Sequence, residues 1–148
     1  MEDPAAEEQR IESLATRTVT RVASGAMVWR AWGAGPPLVL LHGASGSWTH
    51  WIRNVLPLAE RFRVLAPDMP GYGESDGPRE PHTADRLADL VIAGIDQIVP
   101  APAPFDLAGF SFGAIIGGLV AARLGLRVRT LVLLRAGRLV LRPAAVGA

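Results

Sequence analysis

Gly109-Phe110-Ser111-Phe112-Gly113 is the stretch of this 148-residue chain best suited to chemistry. A serine at a tight turn from strand into helix can hold its Oγ raised above the end of a sheet. Side chains at the two flanking glycines would collide with the neighbouring strand and helix. The Phe112 N–H, in the first turn of that helix, has no partner within it and points towards where an oxyanion would form. The pattern G-x-S-x-G arises by chance in a chain with 16 glycines, so its place between strand and helix gives it weight. The plainer role for Ser111 is a turn serine capping the next helix.

His42-Gly43-Ala44-Ser45-Gly46-Ser47 directly follows the apolar run Leu38–Leu41. A loop at the carboxyl end of a strand beside the nucleophile strand can supply a second oxyanion donor, and Ala44 N–H is the preferred one. His42 reads as a residue that braces this loop. It precedes the serine, whereas the usual order is serine, acid, histidine. The three histidines, His42, His50 and His82, are too scattered to suggest a metal site by spacing. The absence of cysteine excludes disulfides, thiolate chemistry and zinc–thiolate sites.

These residues need elements to position them. Thr16–Val22 and Met27–Trp32, joined through Ser24-Gly25, read as a hairpin. Leu38–Leu41 is wholly apolar, as expected of a strand buried on both faces of a parallel sheet. Trp48 to about Leu56 reads as a helix ending before Pro57, and Phe62–Ala66 as the next strand. A long loop follows, Asp68 to Pro78. Leu87, Leu90, Val91, Ile95 and Ile98 recur at helical spacing, with Thr83 as N-cap and Asp85 in the first turn. Phe105–Ala108 is a strand, Phe112–Leu124 a helix and Thr130–Leu134 a buried strand. The alternation implies an α/β fold with a mostly parallel sheet and helices on both faces.

Composition agrees with a globular domain: 49% of residues are hydrophobic and 20% charged. The net charge of +1 is unevenly spread. All 14 carboxylates lie at or before Asp106, and the six arginines at 123, 127, 129, 135, 138 and 142 follow it. Those arginines are interspersed with aliphatic residues and glycine, which argues against a nucleic-acid surface. The acidic N-terminus lacks the features of a secretion signal. The longest run free of Asp, Glu, Arg and His, Leu107–Ala122, would span about 24 Å as a helix, short of the roughly 30 Å hydrocarbon core. The expectation is a cytoplasmic protein that binds neither nucleic acid nor membrane.

Leu38-Val39-Leu40-Leu41-His42-Gly43, Asp68-Met69-Pro70-Gly71-Tyr72-Gly73-Glu74-Ser75-Asp76 and Gly109-Phe110-Ser111-Phe112-Gly113 together resemble three signatures of the α/β-hydrolase fold superfamily, in the family's order. The resemblance covers about Thr16 to Leu134. Gly46-Ser47-Trp48 and the Asp68 loop resemble esterases and meta-cleavage-product (carbon–carbon bond) hydrolases. Serine at the elbow argues against dehalogenases and epoxide hydrolases, which place Asp there. The resemblance implies Ser111 as nucleophile and Phe112 and Ala44 as oxyanion donors. It assigns loop-shaping roles to His42, Gly43, Gly109 and Gly113, and to Asp68, Gly71 and Gly73. Trp48, Trp51 and Phe110 would wall a pocket for a small-molecule substrate, although core packing is the commoner role for both tryptophans. No cofactor and no metal are implied.

The same resemblance calls for an acid and a histidine after the nucleophile, yet no Asp, Glu or His follows Asp106. The expectation is therefore a hydrolase fragment: a polar segment at 1–15, an incomplete core at 16–134 truncated after about the sixth strand, and an apolar, Arg-bearing tail at 135–148. Such a chain would show little or no activity and would tend to self-associate through its last strand. The alternative is a non-catalytic small-ligand-binding or interaction module on the same fold.

Overall fold

The computed structural model describes residues 3–78 and 83–134, so His82 and the Arg-bearing tail expected at 135–148 lie outside the described residues. Among the described residues six strands form one sheet: β1 (Thr16–Val22), β2 (Gly25–Trp32), β3 (Pro37–Leu41), β4 (Arg63–Pro67), β5 (Phe105–Phe110) and β6 (Val128–Leu134), in the order β1-β2-β4-β3-β5-β6. The β1–β2 and β2–β4 pairs are antiparallel, and the β4–β3, β3–β5 and β5–β6 pairs are parallel. The fold is α/β with a mostly parallel sheet, as the alternation of elements implies.

Alternation along each strand sorts side chains into two cores. Val39 and Leu41 of β3, with Leu65 of β4 and Leu107 of β5, pack beneath α3 (Ala84–Ile98) and α4 (Phe112–Leu124). Leu38 and Leu40, with Val64, Ala66 and Ala108, face the opposite layer of Trp48, Trp51 and Val55. Helix α1 (Pro4–Ser13) joins that layer through Ile11, whose carbonyl accepts from Trp32 Nε1 at 2.9 Å. Thr83 caps α3, its Oγ1 accepting from Arg86 N–H at 3.1 Å.

The helix expected from Trp48 to about Leu56 is instead a 3-10 turn at Trp48–Trp51 and a separate short helix, α2 (Val55–Ala59). Pro57 lies inside α2 rather than after it. It occupies the first turn, where its missing N–H would have had no intrahelical partner, so it breaks nothing.

Ion pairs absorb the uneven charge. Arg123 binds Asp85 and Asp89, Arg127 binds Asp96, and Arg129 binds Asp106. The acidic residues of α3 and β5 thus meet the basic residues that follow them, and these three arginines form no free basic patch.

Among the described residues strand β6 is an edge strand, and its apolar side chains are poorly covered: Leu131, Val132 and Leu134 are 38–44% exposed. Beside it, on the Trp51 side of the sheet, lies an apolar groove of about 620 Å³ lined by Leu38, Leu40, Leu58, Phe62, Val132 and Leu134 among others. No helix among the described residues is long and apolar enough to cross a membrane.

Candidate active site

Strand β5 runs into a tight corner at Ser111 that needs glycine on both sides. Ser111 has φ 55° and ψ −117°, a conformation strained for any residue with a side chain. A Cβ on Gly113 would fall on the carbonyl oxygens of Leu41 and His42, and one on Gly109 on the carbonyl of Gly113 and within 2.7 Å of Ala114 Cα. The β3–β5 register places Leu41 opposite Gly109, so the corner presses against the end of β3. On the other side, Ser111 N–H donates to the Leu134 carbonyl at the end of β6 (2.9 Å).

Ser111 occupies the N-cap position of α4, yet its side chain makes no capping hydrogen bond. The plain capping role is thereby removed. The half-buried hydroxyl has no partner among the described residues, and neither does the Phe112 N–H at the start of the helix. A hydroxyl on a strained corner with an open helix N-terminal amide beside it is suited to attack a carbonyl and to receive the resulting charge.

The loop after β3 is held by side chains. His42 is fully buried. Its Nε2 accepts from Met69 N–H (2.9 Å), which leaves Nδ1 protonated to donate to the Gly43 carbonyl (2.7 Å). Burial pushes its pKa below the ordinary histidine value, against the opposing effects of the Gly43 carbonyl and Asp68. With its only lone pair taken, His42 is a brace and has no free site for a proton from Ser111. The adjacent Ala44 N–H has no acceptor among the described residues.

Asp68 ties the Asp68–Asp76 loop to this one. Its carboxylate accepts from Trp48 N–H (2.9 Å) and Glu74 N–H (3.0 Å) and pairs with Arg30 at 3.2 Å. Gly73 is required because a Cβ there would overlap the Asp68 carboxylate, and Gly71 turns at φ 88°. Ser75 Oγ donates to the Asp68 carbonyl (2.6 Å) and accepts from Val28 N–H (2.9 Å).

Two contributors escape sequence reasoning. Arg30, only 2% exposed, pairs with Asp68, Glu12 and Glu74 and lies over the Trp48 ring. Burial alone would lower its pKa, but the Glu12 hydrogen bond and the three carboxylate charges outweigh it and hold the value above normal. His50 comes edge-on to His42, with ring centroids 6.1 Å apart, although the histidines are scattered in sequence. A buried arginine on an apolar strand, with acids at Glu12, Asp68 and Glu74, was the available signal for the first. Nothing local marks the second.

The expected pocket residues separate. Trp48 is 3% exposed and packs against Trp32 (centroids 5.2 Å apart) beneath Arg30, so its ring belongs to the core and does not wall a pocket. Trp51 is buried in the same core, though it also lines the groove beside β6, of which Ser111 is not a lining residue. Phe110 is half-buried and stands against Gly43 and His50, beside the serine. Among the described residues no group of three metal-ligating side chains comes together.

Residues 36–147 match the family model described as the alpha/beta hydrolase fold. The chain is 40% identical over 107 residues to the 2-hydroxymuconate semialdehyde hydrolase of Pseudomonas sp. (strain CF600), covering 69% of this chain and 37% of that protein. It is 60% identical over 47 residues to the soluble epoxide hydrolase of Corynebacterium sp. (strain C12), covering 31% and 16%. The crystal structure of epoxide hydrolase VrEH1 from Vigna radiata superposes with a TM-score of 0.80 at 24% identity, over 89% of this chain and 43% of that one, a likeness of fold alone. The chain therefore spans well under half the length of each of these proteins. The match over three quarters of its residues, together with the sheet and the glycine-bound corner, shows that this chain belongs to the α/β-hydrolase fold family.

Proposed function

We propose that this chain carries the nucleophile half of a serine hydrolase acting on an ester, amide or carbon–carbon bond of a small carbonyl substrate. The observation that carries the reading is the strained, uncapped Ser111 with amides at Phe112 and Ala44 that have no acceptor among the described residues. In the reaction, Ser111 Oγ bonds to the carbonyl carbon and its proton passes to a base. The oxyanion is held by the two N–H groups, and the leaving group departs from an acyl-enzyme. Phe110 walls the substrate beside the serine. Serine at position 111, where the epoxide-opening branch would carry a carboxylate, favours carbonyl chemistry even though an epoxide hydrolase is among the relatives. The chemistry requires no cofactor.

Neither described histidine can act as that base. His42 is buried with Nε2 occupied, and His50 Nδ1 accepts from Gly43 N–H (3.0 Å). Purified 1–148 is therefore expected to hydrolyse p-nitrophenyl acetate at close to the background rate. Robust turnover that Ser111→Ala abolishes would overturn this. In the alternative, a non-catalytic ligand-binding module, the same assay is silent and a substrate-like ester binds with equal affinity to wild type and Ser111→Ala.

The exposed apolar residues of β6 support self-association of the isolated chain through that edge. Sedimentation at rising concentration should show species larger than the monomer. A strictly monomeric profile would count against it.

A further inference from the structure

We propose that His50 is a positioning residue for the oxyanion loop: by accepting Gly43 N–H while His42 holds the Gly43 carbonyl, it completes the clamp on Gly43 that aims the next amide, Ala44, towards the carbonyl under attack. The inference deepens the hydrolase reading and rests on it. Ser45 sits at φ 59°, a left-handed conformation for a residue with a side chain, so the loop needs restraint from outside itself. At its far end Asp68 holds Trp48 N–H. At its near end two rings hold Gly43: His42 Nδ1 donates to its carbonyl at 2.7 Å, and His50 Nδ1 takes its N–H at 3.0 Å.

The same ring lies across the middle of the loop, where a Cβ on Gly46 would coincide with it. Its edge meets Phe110, the residue before the nucleophile, with centroids 5.6 Å apart at 89°. One side chain thus touches the start of the loop, its middle and the neighbour of Ser111. His50 is exposed, so burial does not explain an imidazole at this position. A phenyl ring could fill the contact with Phe110, but only the imidazole also brings an acceptor to Gly43. Accepting at Nδ1 places the ring proton on Nε2.

The test pairs two variants of 1–148. His50→Phe keeps the ring and removes the acceptor, whereas His50→Asn keeps an acceptor and removes the ring. Nitrogen-15 NMR of the wild type should show His50 with Nδ1 unprotonated. The Gly43 amide should lose its hydrogen-bonded shift in His50→Phe and retain it in His50→Asn. Phosphonylation of Ser111 by a fluorophosphonate, with imidazole supplied as base, forms the Oγ–P bond as fluoride leaves and the proton goes to imidazole. Its rate should fall about tenfold in His50→Phe, the equivalent of one ordinary hydrogen bond, and recover most of that loss in His50→Asn. Melting curves confirm that both variants fold. A protonated Nδ1, or a labelling rate unchanged in His50→Phe, would overturn the proposal. No labelling of the wild type, with the Nδ1 tautomer as expected, would overturn the hydrolase reading and this proposal with it.

Discussion

Two strand ends meet at the candidate site, and they are built by different means. The end of β5 is a corner set by main-chain contacts: Gly109 and Gly113 let the backbones of β3, β5 and α4 approach closely, and Leu134 holds the Ser111 amide. The end of β3 is a loop set by side chains: His42 and His50 from the loop and the turn after it, and Asp68 and, behind it, Arg30 from other parts of the chain. The contrast assigns a different job to each end. On the proposed reading, the corner holds the attacking oxygen in one strained place, and backbone packing cannot yield. The loop needs only to aim amides, and polar side chains are enough.

The largest expected effect breaks the corner. Gly113→Ala would drive a methyl group into two carbonyl oxygens of the β3 end, with no flexible side chain to give way. A loss of about 4 kcal/mol or more, or failure to fold, is expected in urea denaturation. A smaller effect should follow on the loop side. Asp68→Asn removes a charge facing buried Arg30, which retains Glu12 and Glu74, so about 2 kcal/mol is expected. A loss as large as that of Gly113→Ala would erase the proposed distinction between the two ends.

The loop should also be the pH-sensitive end. Folding keeps His42 neutral at pH values where an unfolded histidine, titrating near about 6.5, takes up a proton. Below that pH the unfolded chain binds more protons, so stability present above about 6.5 is lost as pH falls towards the lowered folded value, by at most about 1.4 kcal/mol per pH unit. Glu74, whose pKa is lowered chiefly by its Arg17 hydrogen bond, adds a loss in the same direction only in the more acidic carboxylate range. Denaturation midpoints between pH 7.5 and 5.5 should therefore fall less in His42→Asn than in wild type. Equal slopes would contradict the buried neutral brace. The smallest effect is a gain: Ser111→Gly relieves the positive-φ strain and should stabilise the chain by about 0.5–1 kcal/mol, after the extra entropy of unfolded glycine is subtracted.

The same contrast governs what could be seen in the sequence. The corner was legible because close backbone approach demands glycine, and glycine at 109 and 113 around Ser111 carries that demand in the residue type. The alternation of Leu38, Val39, Leu40 and Leu41 between two covered faces was legible as an all-apolar run. His50 was not, because its role exists only once a loop of several residues folds back to bring Gly43 N–H to its ring. Trp48 looked suited to a pocket, but Arg30 and Trp32, which bury it, come from another strand. Pro57 suggested a helix end because proline is read as a breaker, although in a first turn it costs no hydrogen bond.

The most direct test asks whether Ser111 is a ready nucleophile that lacks only a proton acceptor. Purified 1–148 is treated with a fluorophosphonate, with and without imidazole, and the adduct is located by peptide mass spectrometry. A single adduct at Ser111 that forms appreciably only with imidazole is predicted. Modification at other hydroxyls in preference to Ser111, or labelling of Ser111 just as fast without added base, would contradict the account.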